Sequence, residues 1–288
     1  MKNIPRLWAD LSLLLVTLVW GSTFIVVKWA IIDLPPFPFL TIRFTLAFVS
    51  LLPFIKWQYF NKKIVLIGLG IGVFLFSGYA WQTIGLQYTS ASNAGFITGL
   101  SVVFVPALLA LSTRSLPHPT FLLGVLSALV GLAFLSLSND LRLNQGDLFV
   151  LVSAISYALH ILLVGRYSKT DAVLLAAAQI LSVALLSAAA CLISPQPPIH
   201  FTPNAWLGLL LTAIPATSLA FFIQTKMQQF TSPSHTALIF ASEPVFAAVA
   251  AFLLAGETLT LRGYLGAGLV LIGILVAEFT GPEKTRNT

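Results

Sequence analysis

Apolar runs long enough to cross a lipid bilayer recur along the whole chain, separated by short polar breaks. A helix needs about 20 apolar residues to span the hydrocarbon core. With that window the pattern predicts ten spans, at roughly 8–28, 37–56, 64–85, 91–112, 119–138, 147–165, 172–193, 204–225, 233–255 and 260–280. The expected fold is therefore an all-α membrane protein of ten transmembrane helices. The first run is too long for a signal peptide and has no small-residue cleavage site before Lys28, so it is expected to be a retained helix.

The ninth run breaks the apolar rule at its middle, where Glu243 is followed at once by Pro244. An acid at the centre of a spanning helix costs roughly 2.5–3.5 kcal/mol on insertion scales, so it normally faces a partner or a wet cavity. Pro244 removes a backbone donor and frees a carbonyl one turn earlier, which lipid cannot satisfy but a cavity can. This helix is expected to form one wall of a transport path.

Composition agrees with the pattern. Only 8% of the 288 residues are charged and 58% are hydrophobic, whereas a soluble surface needs about 25% charged residues. The basic balance, 15 Lys and Arg against 9 Asp and Glu, lies scattered between apolar runs and forms no aromatic-interleaved patch, so nucleic acid is not an expected partner. The lipid bilayer is. The single cysteine, Cys191, sits inside an apolar run, and neither a disulfide framework nor a Cys/His metal cluster is expected.

Charge placement also sets an orientation. With a cytoplasmic N-terminus, the inside segments hold Lys2, Arg6, Lys56, Lys62, Lys63, Arg114, Arg166, Lys169, Lys226, Lys284 and Arg286, which is 11 of the 15 basic residues. Both termini are thus expected on the cytoplasmic side.

The two halves of the chain repeat. A shift of 142 residues lays Thr89, Ser90, Ser92 and Ile97 on Thr231, Ser232, Ser234 and Ile239, and pairs Gln82 with Gln224, Gly124 with Gly266 and Gly131 with Gly273. A shift of 137 lays Asp10-Leu11 on Asp147-Leu148 and Trp20 on Tyr157, the difference being an insertion near the Pro-rich 194–200 stretch. Residues 8–138 and 147–280 are therefore expected to be two five-helix repeats. Five is odd, so they cross the membrane in opposite senses, and such inverted-topology repeats accompany alternating access around a site near the midplane.

Trp20-Gly21-Ser22-Thr23-Phe24, Arg43-Phe44, Glu243-Pro244, Gly256-Glu257 and the glycine-spaced last helix together resemble the EamA family of the drug/metabolite transporter superfamily. The likeness covers about residues 9–280. It implies a ten-helix bacterial inner-membrane carrier, often an exporter of aromatic amino acids or other metabolites, with spans three, four, eight and nine near the centre and five and ten at the periphery. The first half departs from the pattern: Ser101 stands where Glu243 does, and Arg114-Ser115 where Gly256-Glu257 does.

Candidate path residues follow from what is unusual at membrane depth. Glu243 is expected to act in transport or to be locked to hydroxyls such as Ser242 or Ser101. Arg43 is expected either to snorkel to the interface or to pair with Glu243. Trp20 and Tyr157, at related depths, either flank a flat or apolar substrate or face lipid. Gln82 and Gln224 either bind substrate or join helices, and Tyr79, in the same span as Gln82, is counted with them. Asn93 and His235 align at the starts of spans four and nine as caps or gate residues. His160, one turn beyond Tyr157, either relays protons or donates to a neighbouring backbone. Gly68, Gly72, Gly131, Gly263, Gly266 and Gly273 permit close helix approach, inside the bundle or in a homodimer.

No H-E-x-x-H, G-x-S-x-G or Walker-type motif is present, so neither hydrolysis nor ATP-driven pumping is expected, and no cofactor or metal is called for. The chain reads as a secondary-active or facilitative carrier exporting a small organic metabolite, an amino acid foremost, across the plasma membrane. A flippase for lipids or lipid-linked sugars is the alternative, and an embedded enzyme or structural subunit has no reactive residues behind it. The orientation has a direct check. Cysteines placed in the 139–146 and 194–203 loops are predicted to react with an impermeant thiol reagent on intact cells, and those in 57–63 or 166–171 are not. Labelling of the 57–63 loop would reverse the orientation.

Overall fold

The computed structural model describes residues 6–89, 91–136, 144–194, 198–255 and 260–278. It is all-helical, with no strand among the described residues. In chain order the helices are α1 (Arg6–Asp33), α2 (Pro36–Leu51), α3 (Lys62–Gly85), α4 (Ala91–Gly99), α5 (Ser101–Thr113), α6 (Pro119–Ser136) and α7 (Gln145–Tyr167). There follow α8 (Ala172–Ile193), α9 (Pro203–Ala213), a wide π-helical turn at Ile214–Leu219, α10 (Ala220–Met227), α11 (Pro233–Phe240), α12 (Glu243–Ala255) and α13 (Leu261–Glu278). Seven helical segments among the described residues are long and apolar enough to cross a membrane, and α6 and α13 supply shorter apolar helices.

Helix starts are written in the local sequence. Asp171, Thr202 and Ser232 each accept a backbone N–H from the first turn of α8, α9 and α11, satisfying donors that would otherwise be orphaned. At α7 the cap is reciprocal: Asn144 Oδ1 accepts from Asp147 N at 3.0 Å and Asp147 Oδ2 accepts from Asn144 N at 3.0 Å.

Three predicted spans are not simple helices. The fourth turns at Leu100 between α4 and α5, and the ninth divides into α11 and α12 at Ala241-Ser242. The second break follows from Pro244, which cannot donate in a helix interior but fits the first turn of a new helix. The eighth widens at Pro215 for the same reason: the ring removes one donor and crowds the carbonyl four residues earlier, so the ladder passes by one extra residue.

Lipid tails are as apolar as leucine, so helices associate in a membrane by close packing rather than by escape from water. The glycines serve that purpose inside the bundle. A Cβ on Gly72 would stand 2.7 Å from Gln179 O in α8. A Cβ on Gly131 would stand 2.6 Å from Gly266 O, and one on Gly124 2.6 Å from Gly273 O. Between those two crossings Ser127 Oγ donates to Leu269 O at 2.9 Å. Helices α6 and α13 therefore run antiparallel, and their contacts exchange under the 142-residue shift: Gly124 and Gly131 meet the counterparts of each other, while Ser127 meets its own.

The remaining packing exchanges in the same way. Helix α3 lies against α7 and α8, and the α9–α10 segment lies against α1 and α2. Outward faces such as Leu66, Leu111, Leu192 and Leu253 are strongly exposed and suited to lipid.

Gly131→Ala is predicted to lower the melting temperature of the detergent-purified protein, with a cost of about 1–3 kcal/mol for overpacking. Gly268→Ala, whose new methyl would meet nothing within 4 Å, is predicted to be neutral or to stabilise by up to about 1 kcal/mol. Equal melting of the two variants would contradict the close α6–α13 contact.

Candidate functional site

The broken and widened helices converge on one central cavity. Its walls come from α1, α2, α3, α4, α5, α7, α10, α11 and α12, and no residue of α6, α8 or α13 lines it. Backbone that leaves helical register at membrane depth is tolerated where it is enclosed by protein or lines a cavity: the breaks of the fourth and ninth spans lie between the lining residues Thr98, Ser101, Phe240 and Glu243, while the wide turn holds the lining residues Arg43 and Trp20 from behind.

An arginine and a glutamate share this space without pairing. Arg43, in α2, is 3% exposed. Its Nε donates to Thr217 Oγ1 at 2.8 Å, and its Nη2 donates to Tyr79 OH at 3.4 Å. The guanidinium carbon lies 4.8 Å from the centroid of the Tyr79 ring and 5.5 Å from that of Phe44, close enough for cation–π attraction. Arg43 thus neither snorkels to an interface nor pairs with Glu243. Hydroxyl and aromatic partners within the bundle satisfy it instead.

Glu243 opens α12 and lines the cavity. Among the described residues it forms no ion pair, and no hydroxyl locks it. The expected clamp from Ser242 does not form. Ser242 Oγ instead donates to Ile239 O, three residues back, at 2.7 Å, a carbonyl that also accepts the Ser242 N–H. Ser242 is fully buried and does not line the cavity. Gly21 permits the approach of α1 to this point, since a Cβ there would stand 2.5 Å from Glu243 O.

Aromatic rings form the rest of the wall. Trp20 packs edge-on to Phe240 at 5.0 Å between centroids and lies 5.4 Å from Phe221. Its Nε1 donates to Ala216 O at 2.8 Å, a carbonyl in the wide turn. Tyr157 meets Tyr79 edge-on at 5.6 Å, in space that Gly78 leaves for it: a Cβ there would stand 2.5 Å from the tyrosine ring. Both Trp20 and Tyr157 face the cavity rather than lipid.

The amides join helices and also line the cavity. Gln82 Nε2 donates to Thr98 Oγ1 at 3.0 Å, and Tyr157 OH donates to Gln82 Oε1 at 3.2 Å, tying α3, α4 and α7 together. Gln224 Nε2 donates to Gln228 Oε1 at 3.2 Å. Its Oε1 is buried without a partner. His160 Nε2 lies 2.7 Å from Gln179 Oε1, an amide side chain rather than the backbone partner expected. His235 Nε2 stands 3.5 Å from Asp10 Oδ2 at the start of α1, away from the cavity. The side chain of Asn93 lies outside the described residues.

The arrangement is chemically specific in a limited way. It brings one carboxyl, one guanidinium, two amides and several aromatic rings to a single space. No group of three or more His, Cys, Asp or Glu able to hold a metal occurs among the described residues.

Comparison with known proteins identifies the fold. The family model described as the EamA-like transporter family matches residues 7–137 and again 144–279. The chain belongs to this family. An "Uncharacterized transporter" of Archaeoglobus fulgidus is 37% identical over 278 residues, 96% of this chain and 88% of that protein. The "Uncharacterized transporter YoaV" of Bacillus subtilis is 24% identical over 285 residues, 94% of this chain and 96% of that protein. A solved crystal structure 18% identical in sequence matches 94% of this chain and 96% of that one with a TM-score of 0.79, a likeness of fold. This EamA protein is thus a multi-pass membrane transporter and not an enzyme.

Several residues of the EamA site carry no signal that sequence reasoning used. Thr98, Phe221 and Phe240 are ordinary residues of apolar helices. Thr217 and the Ala216 carbonyl become partners only because the helix widens, and Pro215 is the one residue that points to it.

Proposed function

We propose that the central cavity is the substrate site of a carrier for a small zwitterionic metabolite, an amino acid foremost, which is exported across the bacterial plasma membrane by alternating access. The unpaired Arg43 and Glu243 facing one cavity carry this reading. Neither group has an ion-pair partner among the described residues, ionising either is costly at membrane depth, and a zwitterion offers an opposite charge to both at once. A polyanion such as a nucleotide sugar would call for several cations, and the cavity offers one.

The ten-span, inverted-repeat architecture belongs to the same proposal. It is supported by the antiparallel α6–α13 contact and by the breaks of the fourth and ninth spans at related positions, Leu100 and Ser242. Cross-half contacts at the starts of α1 and α7 support it too. Asp147 Oδ1 accepts from Thr89 Oγ1 at 2.5 Å, while its counterpart Asp10 lies against His235. Charge placement puts both termini in the cytoplasm, and the energy source is an ion gradient or the substrate gradient itself. The path residues are Trp20, Arg43, Tyr79, Gln82, Tyr157, His160, Gln224 and Glu243, with Asn93 at the start of the fourth span. No partner beyond substrate and bilayer is needed. The crossings at Gly124 and Gly131 are occupied within one chain, so they are not free to form a homodimer.

The test is transport into sealed vesicles containing only this protein, with a panel of amino acids and fluorescent phospholipids. Amino-acid uptake that lipids do not compete is expected, and lipid flipping without amino-acid transport would overturn the proposal in favour of a flippase. Within that assay Glu243→Gln separates two roles. If Glu243 carries the coupling proton, the variant keeps exchange but loses uphill transport driven by a pH gradient. If it clamps the substrate ammonium, the variant loses binding of amine-bearing substrates. Wild-type affinity, rate and pH dependence in the variant would remove Glu243 from the mechanism.

A further inference from the structure

We propose that Thr217 is a positioning residue, and that the wide turn around it fixes the Arg43 guanidinium so that the substrate carboxylate is met by its two Nη groups. The inference rests on the reading of the cavity as the substrate site.

The geometry starts from Pro215. With no N–H to give, it forces the turn Ile214–Leu219 to widen. Thr217 is fully buried in that turn. Its hydroxyl has one hydrogen, which it donates to Thr212 O, five residues back, at 2.7 Å. What remains on the oxygen is acceptor capacity, and Arg43 Nε–H takes it at 2.8 Å. The same turn holds Trp20 through the Ala216 carbonyl. One irregular turn thus sets both the cation and the indole of the cavity wall.

This arrangement restricts how Arg43 can recognise an anion. A guanidinium binds carboxylate side-on through Nε and one Nη, or end-on through both Nη groups. With Nε–H committed to Thr217, the side-on mode is closed. Arg43 Nη2 donates one hydrogen to Tyr79 OH at 3.4 Å and the Tyr79 ring flanks the guanidinium, which holds the plane against rotation while the other three Nη hydrogens remain for ligand.

The duplicated scaffold supplies a control for the alternative, that Arg43 and Thr217 only hold the fold together. Under the shifts of 137 and 142 residues, Arg43 corresponds to Ile180 and Thr217 to Leu75. Both counterparts are fully buried members of one apolar cluster, and α3, which carries Leu75, is a regular helix there. Apolar side chains therefore fill the related place, where α3 packs on α8. A buried arginine with a hydroxyl to orient it is not what that packing demands, and its presence at only one of the two related places points to the ligand.

The experiment compares binding and transport of phenylalanine and its decarboxylated counterpart phenethylamine in Thr217→Val, Thr217→Ser and Arg43→Met. Thr217→Val keeps the shape and removes the acceptor. It is expected to raise the KM for phenylalanine about tenfold, equivalent to roughly 1.4 kcal/mol, with little change for phenethylamine. Thr217→Ser is expected to remain within about twofold of wild type, and Thr217→Val should add nothing in an Arg43→Met background. Equal shifts for both probes, or none, would overturn the proposal, since a structural role does not distinguish a carboxylate from its absence. If Thr217→Val fails to fold, the serine variant decides: the shape is nearly kept, and loss of discrimination there contradicts the proposal while its retention supports it. Should Arg43→Met raise the phenylalanine KM while Thr217→Val does not, this proposal alone falls. Should Arg43→Met leave it unchanged, or neither probe bind the wild-type protein, the substrate-site reading falls and the proposal with it.

Discussion

A backbone that leaves the α-helical ladder inside a membrane must find its hydrogen-bond partners within the protein, because lipid offers none. In this chain the departures are concentrated around one space. The wide turn at Ile214–Leu219 gives its Ala216 carbonyl to Trp20, and the break before α12 gives the Ile239 carbonyl to Ser242. These partners let the spans be interrupted at mid-depth, and the interruptions in turn bring polar atoms to the cavity wall. A bundle of uninterrupted apolar helices would have packed this space shut with side chains.

Around that irregular centre the scaffold is repetitive. The α6–α13 crossing uses glycines at exchanged positions, and α3 and the α9–α10 segment make matching contacts with the first helix of the opposite half. The site does not follow the repetition. Glu243 faces Ser101 as its sequence counterpart, Arg43 faces Ile180, and the wide turn faces a straight helix. The frame is duplicated, as the twofold family match shows, while the ionisable groups of the cavity and the wide turn occur in single copies. A small asymmetric substrate, with different groups at its two ends, is what such a site suits.

Much of this could be read from the sequence, for a physical reason. Ionisable and amide groups are rare at membrane depth, so Glu243, Arg43, Gln82, Gln224 and His160 stood out against an apolar background, and all five line the cavity. The aromatic pair Trp20 and Tyr157 emerged from symmetry. What pattern reasoning missed depends on local backbone geometry. Ser242 is one of the hydroxyls expected to lock Glu243, but its hydroxyl turns back to the carbonyl three residues earlier in its own chain. Arg43 was expected to reach either water or an acid, yet Thr217 and Tyr79 suffice. The break at Leu100 has no proline within four residues on either side, and hydropathy alone runs straight through it. Membership of the EamA-like transporter family accounts for the frame and leaves the substrate to the cavity's own chemistry.

The central claim is that Arg43 and Glu243 stay apart so that one small molecule can engage both. The most direct measurement is equilibrium binding to the purified wild-type protein of an amino acid, its methyl ester and its deaminated acid, taken through one series of equal-sized ligands. The account predicts that each altered ligand binds at least about tenfold more weakly than the parent, as expected when a buried charge loses its partner. If the ester and the deaminated acid bind as well as the parent, the two charges do not read the two ends of a zwitterion, and the account is wrong.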